Sequence, residues 1–177
     1  MPSSGYPIYK SRGENGKLEV LSKLSLDFNC ASYVKILPRR LCKFLSRVRI
    51  SAHSFEVETG RYCRPPIPRA QRLCKFCNLG VLGDELHAIL QCPLTECERK
   101  PFLESIGLKD VPRSEQTLLD ILNCVDKDKL VKTARFIEIV YDQRNLLVLS
   151  IPSRFRADQI TRSGRVSRPP DLLQVSH

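Results

Sequence analysis

The sequence predicts a mainly α fold: a small helical domain braced by a compact Cys/His knuckle, with disordered arms at both ends. Three observations carry this expectation. Apolar residues recur at helical spacing in several separate stretches, Cys74, Cys77, His87 and Cys92 crowd into one short segment, and both termini are rich in Ser, Gly, Pro and charged residues. With 177 residues and 42% hydrophobic content, the chain is large enough for one modest core.

Residues 1–18 contain Gly5, Pro7, Gly13 and Gly16 as breakers and are expected to form a disordered lead-in. Residues 19–150 are the expected helical domain. A short amphipathic helix is predicted within 18–28, and a longer one over 39–58, where Leu41, Phe44, Leu45, Val48, Ala52 and Phe55 form one apolar stripe. Arg40, Lys43 and Arg47 gather away from that stripe, and His53 falls between the two faces as a polar boundary residue. Pro65, Pro66 and Pro68 fix φ and predict an extended strap from which Arg64, Arg69 and Arg72 project. Beyond the knuckle, helices are predicted over 95–106, 115–125 and 126–147. The last carries Leu130, Ala134, Ile137 and Tyr141 on one side, with Phe136 and Ile139 on others, a pattern that suits bundle packing or a protein partner. Residues 151–177 turn basic again, with Arg154, Arg156, Arg162, Arg165 and Arg168, and are expected to be a disordered tail.

The knuckle has the spacing CX2CX9HX4C. A CX2C pair puts two sulfurs on one tight turn, and Gly80 and Gly83 offer flexible points at which the chain can fold back. Asp84 has the chemistry of a helix N-cap, Glu85 suits the first turn, and His87 follows one turn into the helix. Cys92 lies five residues later, about 140° round an ideal α-helix, so the helix must loosen near Gln91 for both ligands to converge. Pro93 supplies the reason, because the residue before a proline is driven out of the α region. Three thiolates and an imidazole fill a tetrahedral zinc shell with no position left for water, which makes Zn2+ the expected cofactor and its role structural. The resulting formal charge of about −1 makes Arg72 and Lys75 the expected compensating cations.

Cys30, Cys42, Cys63, Cys97 and Cys124 have no partner spacing and are expected to behave as small apolar residues, with Cys97 near enough in sequence to substitute as a ligand. The odd remainder and the absence of a signal-peptide pattern favour a thiol-reducing compartment, nuclear or cytoplasmic. No apolar stretch approaches the roughly 18 residues needed to span a bilayer.

The formal net charge is +10. Residues 37–76 hold ten basic residues against two acidic ones, whereas residues 79–149 hold nine against twelve. The basic segment ahead of the knuckle is therefore the candidate surface for RNA or DNA, through Arg39, Arg40, Lys43, Arg47, Arg61, Arg64, Arg69, Arg72 and Lys75, with Phe76 and Tyr62 available for base stacking or for the core.

The runs Leu45-Ser46-Arg47-Val48-Arg49-Ile50-Ser51-Ala52-His53, Glu58-Thr59-Gly60-Arg61-Tyr62, Arg72-Leu73-Cys74-Lys75-Phe76-Cys77 and Asp84-Glu85-Leu86-His87 resemble the carboxyl-terminal cysteine-histidine region of non-LTR (LINE-type) retrotransposon reverse transcriptases. The resemblance spans residues 37–105. It implies metal ligation by Cys74, Cys77, His87 and Cys92, and a region that helps hold RNA or DNA during target-primed copying. The chain departs from that family in lacking a Tyr/Phe-x-Asp-Asp signature, since Tyr141-Asp142-Gln143-Arg144 has a single carboxylate and two-metal phosphoryl chemistry needs several. Arg162-Ser163-Gly164-Arg165-Val166-Ser167-Arg168-Pro169-Pro170 is similar to the extreme carboxyl end of LTR-type (gypsy-like) polyproteins. The expected function is a non-catalytic, zinc-binding nucleic-acid module detached from its polymerase. The alternatives are a zinc-braced protein-interaction module using 126–147, or a decayed element fragment without a selected function.

Overall fold

A computed structural model describes residues 19–24 and 32–150, so the expected arms at 1–18 and 151–177 lie outside the described residues. The described fold is mainly helical, and one antiparallel bridge, Leu73 to Leu82, is its only extended pairing among the described residues.

Three short or medium helices build one side. α1 (Glu19–Lys23) and α2 (Ser32–Ile36) rest on α3 (Arg39–Arg49), which starts immediately after Pro38, whose extended backbone (φ −54°, ψ 145°) prevents the helix from beginning earlier. Leu41, Leu45 and Val48 recur along α3 as a buried stripe, joined by Val20, Leu24 and Leu37. The expected helix over 18–28 is five residues long where it is described.

α3 ends at Arg49, nine residues before the expected boundary. Ser51 adopts a left-handed φ of 47°, and the amides of Ile50, Ser51 and Ala52 turn back onto the carbonyls of Ser46, Val48 and Arg47. That reversal carries His53 and Phe55 into the interior from a loop. Phe55 is still buried, as its place in the predicted stripe required, but the chain reaches the core by turning rather than by continuing a helix. A single turn, α4 (Glu56–Thr59), follows.

The second side comprises α5 (Glu96–Ser105), α6 (Glu115–Asn123) and α7 (Lys127–Ser150). Ser114 caps α6 by accepting from the Thr117 amide (3.3 Å), and Asp126 accepts from the Lys129 amide (2.8 Å) at the start of α7. Leu130, Ala134, Ile137, Val140 and Tyr141 of α7 are buried against α3 and Phe55, with Tyr141 5.4 Å from the rings of both Phe44 and Phe55. Phe136 lies on a second face because it stacks on Phe102 of α5, with centroids 4.3 Å apart and planes 10° apart. α7 is thus enclosed on two sides, while Ile139 remains exposed.

Two arginines counted in the basic balance serve the interior. Arg49 donates to the Leu122 carbonyl and lies over the Tyr33 ring at 4.9 Å, and burial lowers its pKa. Arg99 is fully buried at the start of α5, donating to the Cys92 carbonyl (2.8 Å), the Thr95 hydroxyl (3.2 Å) and Glu96.

The segment from Gly60 to Gly83 has one 3₁₀ turn, Arg69–Gln71, and is tied mainly by isolated backbone bonds. Ile67 donates to the Gly60 carbonyl, Gly83 to that of Arg72, and Val57 to that of Gly83. Gly83 was expected to supply flexibility; its actual role is close approach. A Cβ there would stand 2.3 Å from Glu56 Oε2 and 2.8 Å from Glu56 Cβ, whereas Gly80, at φ 63°, has nothing within 4 Å. Gly83→Ala should therefore cost about 2–3 kcal/mol by overpacking, and Gly80→Ala about 1 kcal/mol by backbone strain alone. Paired denaturation curves check the ordering, and equal losses would contradict it.

Candidate metal centre

The first two ligands stand on the turn that follows the Leu73–Leu82 bridge. The Cys74 amide donates to the Val81 carbonyl (2.8 Å), so the chain leaves and re-enters beside the same sulfur, and Gly80 makes the reversal with its positive φ. Cys74 is buried and Cys77 half-buried.

The other two ligands come from a short helix whose geometry answers the 140° mismatch. Asp84 Oδ1 accepts from the His87 amide (2.8 Å), as expected of an N-cap. The helix then widens into a π turn, His87–Gln91, in which the Cys92 amide bonds to the His87 carbonyl (2.7 Å). An i→i+5 bond brings residues five apart onto nearly one face, so His87 and Cys92 both look toward the CX2C turn. Cys92 itself is extended (φ −62°, ψ 128°) before Pro93, which opens a 3₁₀ turn, Pro93–Thr95, leading into α5.

The four ligand atoms all lie within 4.8 Å of one another, with Cys74 Sγ 4.0 Å from Cys92 Sγ and Cys77 Sγ 3.4 Å from His87 Nε2. A tetrahedral ion with metal–sulfur bonds of about 2.3 Å has sulfur–sulfur edges of about 3.8 Å. The residues fit, and the cluster can hold a metal ion. Cys97, near in sequence to the ligands, is exposed and stands outside the cluster. No disulfide links any cysteine among the described residues.

The two buried sulfurs titrate as a pair. The Cys74 thiol is pushed far below the ordinary range, chiefly by the hydrogen bond from Cys92 and further by His87, the Phe76 backbone and Arg144, against the opposing effect of burial. Cys92 is pushed up, first by the Cys74 sulfur and then by burial. Without a cation between them the pair keeps one proton, and a bound dication removes the reason to keep it.

The cation that reaches a ligand sulfur is Arg144 of α7, rather than the expected Arg72 or Lys75. Arg144 is 3% exposed, and its Nη2 lies 3.8 Å from Cys74 Sγ and 2.7 Å from Glu56 Oε2. Arg72 instead turns its guanidinium to the carbonyls of Ile67 (2.8 Å) and Val57 (2.7 Å), and Lys75 is exposed. Arg144 continues the α7 stripe of Ile137 and Tyr141 at helical spacing, which is the sequence signal that marks it as buried.

Behind the helix that carries His87, the structure also corrects the place of His53. Its side chain is 0% exposed, stacks on Phe55 at 4.4 Å, and contacts Glu85 Oε1 through Nε2 (2.7 Å). Its Nδ1 accepts from the Phe55 amide (3.2 Å), which makes Nε2 the protonated nitrogen and the donor to Glu85. Ser51 donates to the same carboxylate oxygen (2.9 Å). Burial acts to raise the Glu85 pKa, but the His53 and Ser51 hydrogen bonds outweigh it and the net shift is downward. This enclosed cluster ties the loop after α3 to the start of the ligand helix.

The predicted nucleic-acid contacts divide into two groups. Arg39, Arg40, Lys43, Arg64 and Lys75 are exposed, and Arg47 and Arg69 are half-buried. Arg61 pairs with Glu58 (2.9 Å), Arg72 braces the strap, and Phe76 lies under the Arg144 guanidinium at 4.5 Å, so these three belong to the scaffold. The ring of Tyr62 is exposed while its hydroxyl donates to Glu58 (3.0 Å). On α3, Arg40 pairs with Glu138 (2.6 Å), and Arg39, Arg40, Lys43, Glu138 and Asp142 share one open hollow with Phe44, so α7 carboxylates partly neutralise that ridge. No helix among the described residues is long and apolar enough to cross a membrane. No protein-family model, curated protein or solved structure matches the chain.

Proposed function

We propose that Cys74, Cys77, His87 and Cys92 bind Zn2+ as a closed structural site and that the module so braced binds RNA or single-stranded DNA without catalysis. The observation that carries the first half is the convergence of three sulfurs and one imidazole nitrogen within 4.8 Å, a donor set suited to zinc rather than to a hard, oxygen-seeking cation. Support for the second half comes from the exposed cations Arg64 on the strap and Lys75 within the CX2C turn, with Tyr62 exposed between the α4 turn and the strap. Arg39 and Lys43 extend the basic surface along α3. The resemblance to the terminal region of non-LTR reverse transcriptases points the same way.

The exposed apolar side chains Ile139, Leu146 and Leu147 on α7 favour a second reading, a zinc-braced module that docks a protein through α7. The two readings place the partner on different surfaces. Charge reversal at Arg64 and Lys75 should weaken nucleic-acid binding under the first and leave α7 docking untouched under the second.

Zinc affinity should rise with pH between roughly 6 and 8, by about tenfold per unit for each thiol proton displaced, because the raised Cys92 thiol holds its proton until the metal arrives. Chelator-competition titrations across that range check this, and a pH-independent affinity would contradict it. Nucleic-acid binding by the zinc-loaded chain should fall steeply with salt, and Arg64→Glu with Lys75→Glu should reduce the slope of log K against log salt by about 1–2. Salt-insensitive or undetectable binding by the folded, zinc-loaded protein would overturn the nucleic-acid reading.

A further inference from the structure

We infer that Arg144 is a positioning residue of the metal centre, shared between the Glu56 carboxylate and the Cys74 sulfur, so that the far end of α7 takes part in holding the metal. The inference rests on the proposed occupancy of the four ligands.

Arg144 stands 70 positions from Cys74 in sequence, yet its guanidinium is enclosed by the knuckle and by α4. Its Cζ lies over the Phe76 ring at 4.5 Å and the Phe55 ring at 5.1 Å, so one aromatic from the CX2C turn and one from the loop after α3 fix where the head can go. Nη2 faces both Glu56 Oε2 and Cys74 Sγ, while Nη1 is buried without a hydrogen-bond partner. A cation serving Glu56 alone would gain by turning a second N–H toward that carboxylate as well. The observed orientation instead keeps one nitrogen between carboxylate and sulfur.

The chemistry gives this placement a purpose. Three thiolates, one neutral imidazole and a dication sum to a net negative centre in a buried setting, and Arg144 is the cation placed against it. An N–H directed at a metal thiolate draws electron density from the sulfur. That offsets the negative charge of the centre and makes the sulfur harder to protonate, which favours the bound metal, and it lowers the sulfur's reactivity toward electrophiles. Glu56 holds Arg144 in turn, and Gly83, which admits no Cβ beside Glu56, lets the carboxylate reach that position.

A simple structural role, in which Arg144 only neutralises Glu56, is separable by removing both charges together. Full-length wild type, Arg144→Met, Glu56→Gln, and the double variant E56Q/R144M would be compared for thermal stability, for zinc affinity by chelator competition, and for the thiolate-to-cobalt charge-transfer band after Co2+ substitution. R144M alone should lose stability, because a buried carboxylate is left unpaired. The double variant should regain most of that stability yet bind zinc about 10–100-fold more weakly than wild type, with a shifted charge-transfer band. Recovery of wild-type zinc affinity and band in the double variant would overturn the inference, leaving Arg144 as a partner of Glu56 alone. Arg144→Lys adds a second measurement that does not depend on the double variant folding. It keeps the positive charge but not the fork, and its zinc-loaded thiolates should be alkylated faster than those of wild type; an unchanged rate would count against the inference. If wild type binds neither zinc nor cobalt, the proposed metal reading itself fails, a result distinct from recovery in the double variant.

Discussion

Two sulfurs 4.0 Å apart in a buried space, Cys74 from a turn and Cys92 from the end of a widened helix, set the terms for the rest of this structure. They cannot both carry charge there without a cation between them, and each belongs to a segment with little regular hydrogen bonding of its own. The turn has one isolated bridge, and the ligand helix is a single π turn followed by a proline. A metal ion held by the four ligands would supply the long-range tie that such segments lack.

The surrounding helices are organised around that tie. Arg99 at the start of α5 holds the Cys92 carbonyl, Arg144 near the end of α7 approaches the Cys74 sulfur, and the His53–Glu85–Ser51 cluster anchors the start of the ligand helix to the loop after α3. All three devices use buried polar groups, and they approach the knuckle from three different elements. Buried polar contacts of this kind specify one arrangement more strongly than apolar packing does, because each alternative leaves further donors or a carboxylate unpaired. The Glu56–Arg144 pair carries the same cost, with burial raising the Glu56 pKa and Arg144 pulling it back.

Much of this was legible in the sequence. The ligand spacing, the Asp84 cap and the effect of Pro93 on Cys92 all follow from local rules acting over a few residues, and the helix from 39 onward and the stripe of α7 follow from simple periodicity. What escaped has a shared physical cause. The stop of α3 at Arg49 depends on the left-handed turn at Ser51 and on the burial of His53 against Glu85, which lies 32 positions away. The roles of Arg72, Phe76 and Arg144 likewise depend on contacts between distant segments. Charge counting treats every arginine as surface, so it takes Arg49 into the basic balance and Arg72 into the candidate contacts, whereas both turn their guanidinium groups to backbone carbonyls. The consequence for function is a smaller and better-defined basic surface, centred on the strap and the knuckle rather than spread evenly along α3, where Glu138 and Asp142 answer the cations.

The central claim is that the knuckle is a closed zinc site, and X-ray absorption at the zinc edge on the purified full chain tests it most directly. The account predicts one zinc per chain with three sulfur ligands at about 2.3 Å and one nitrogen at about 2.0 Å, and no oxygen ligand. A folded chain that carries no zinc, or a shell that includes water or carboxylate oxygen, would contradict it.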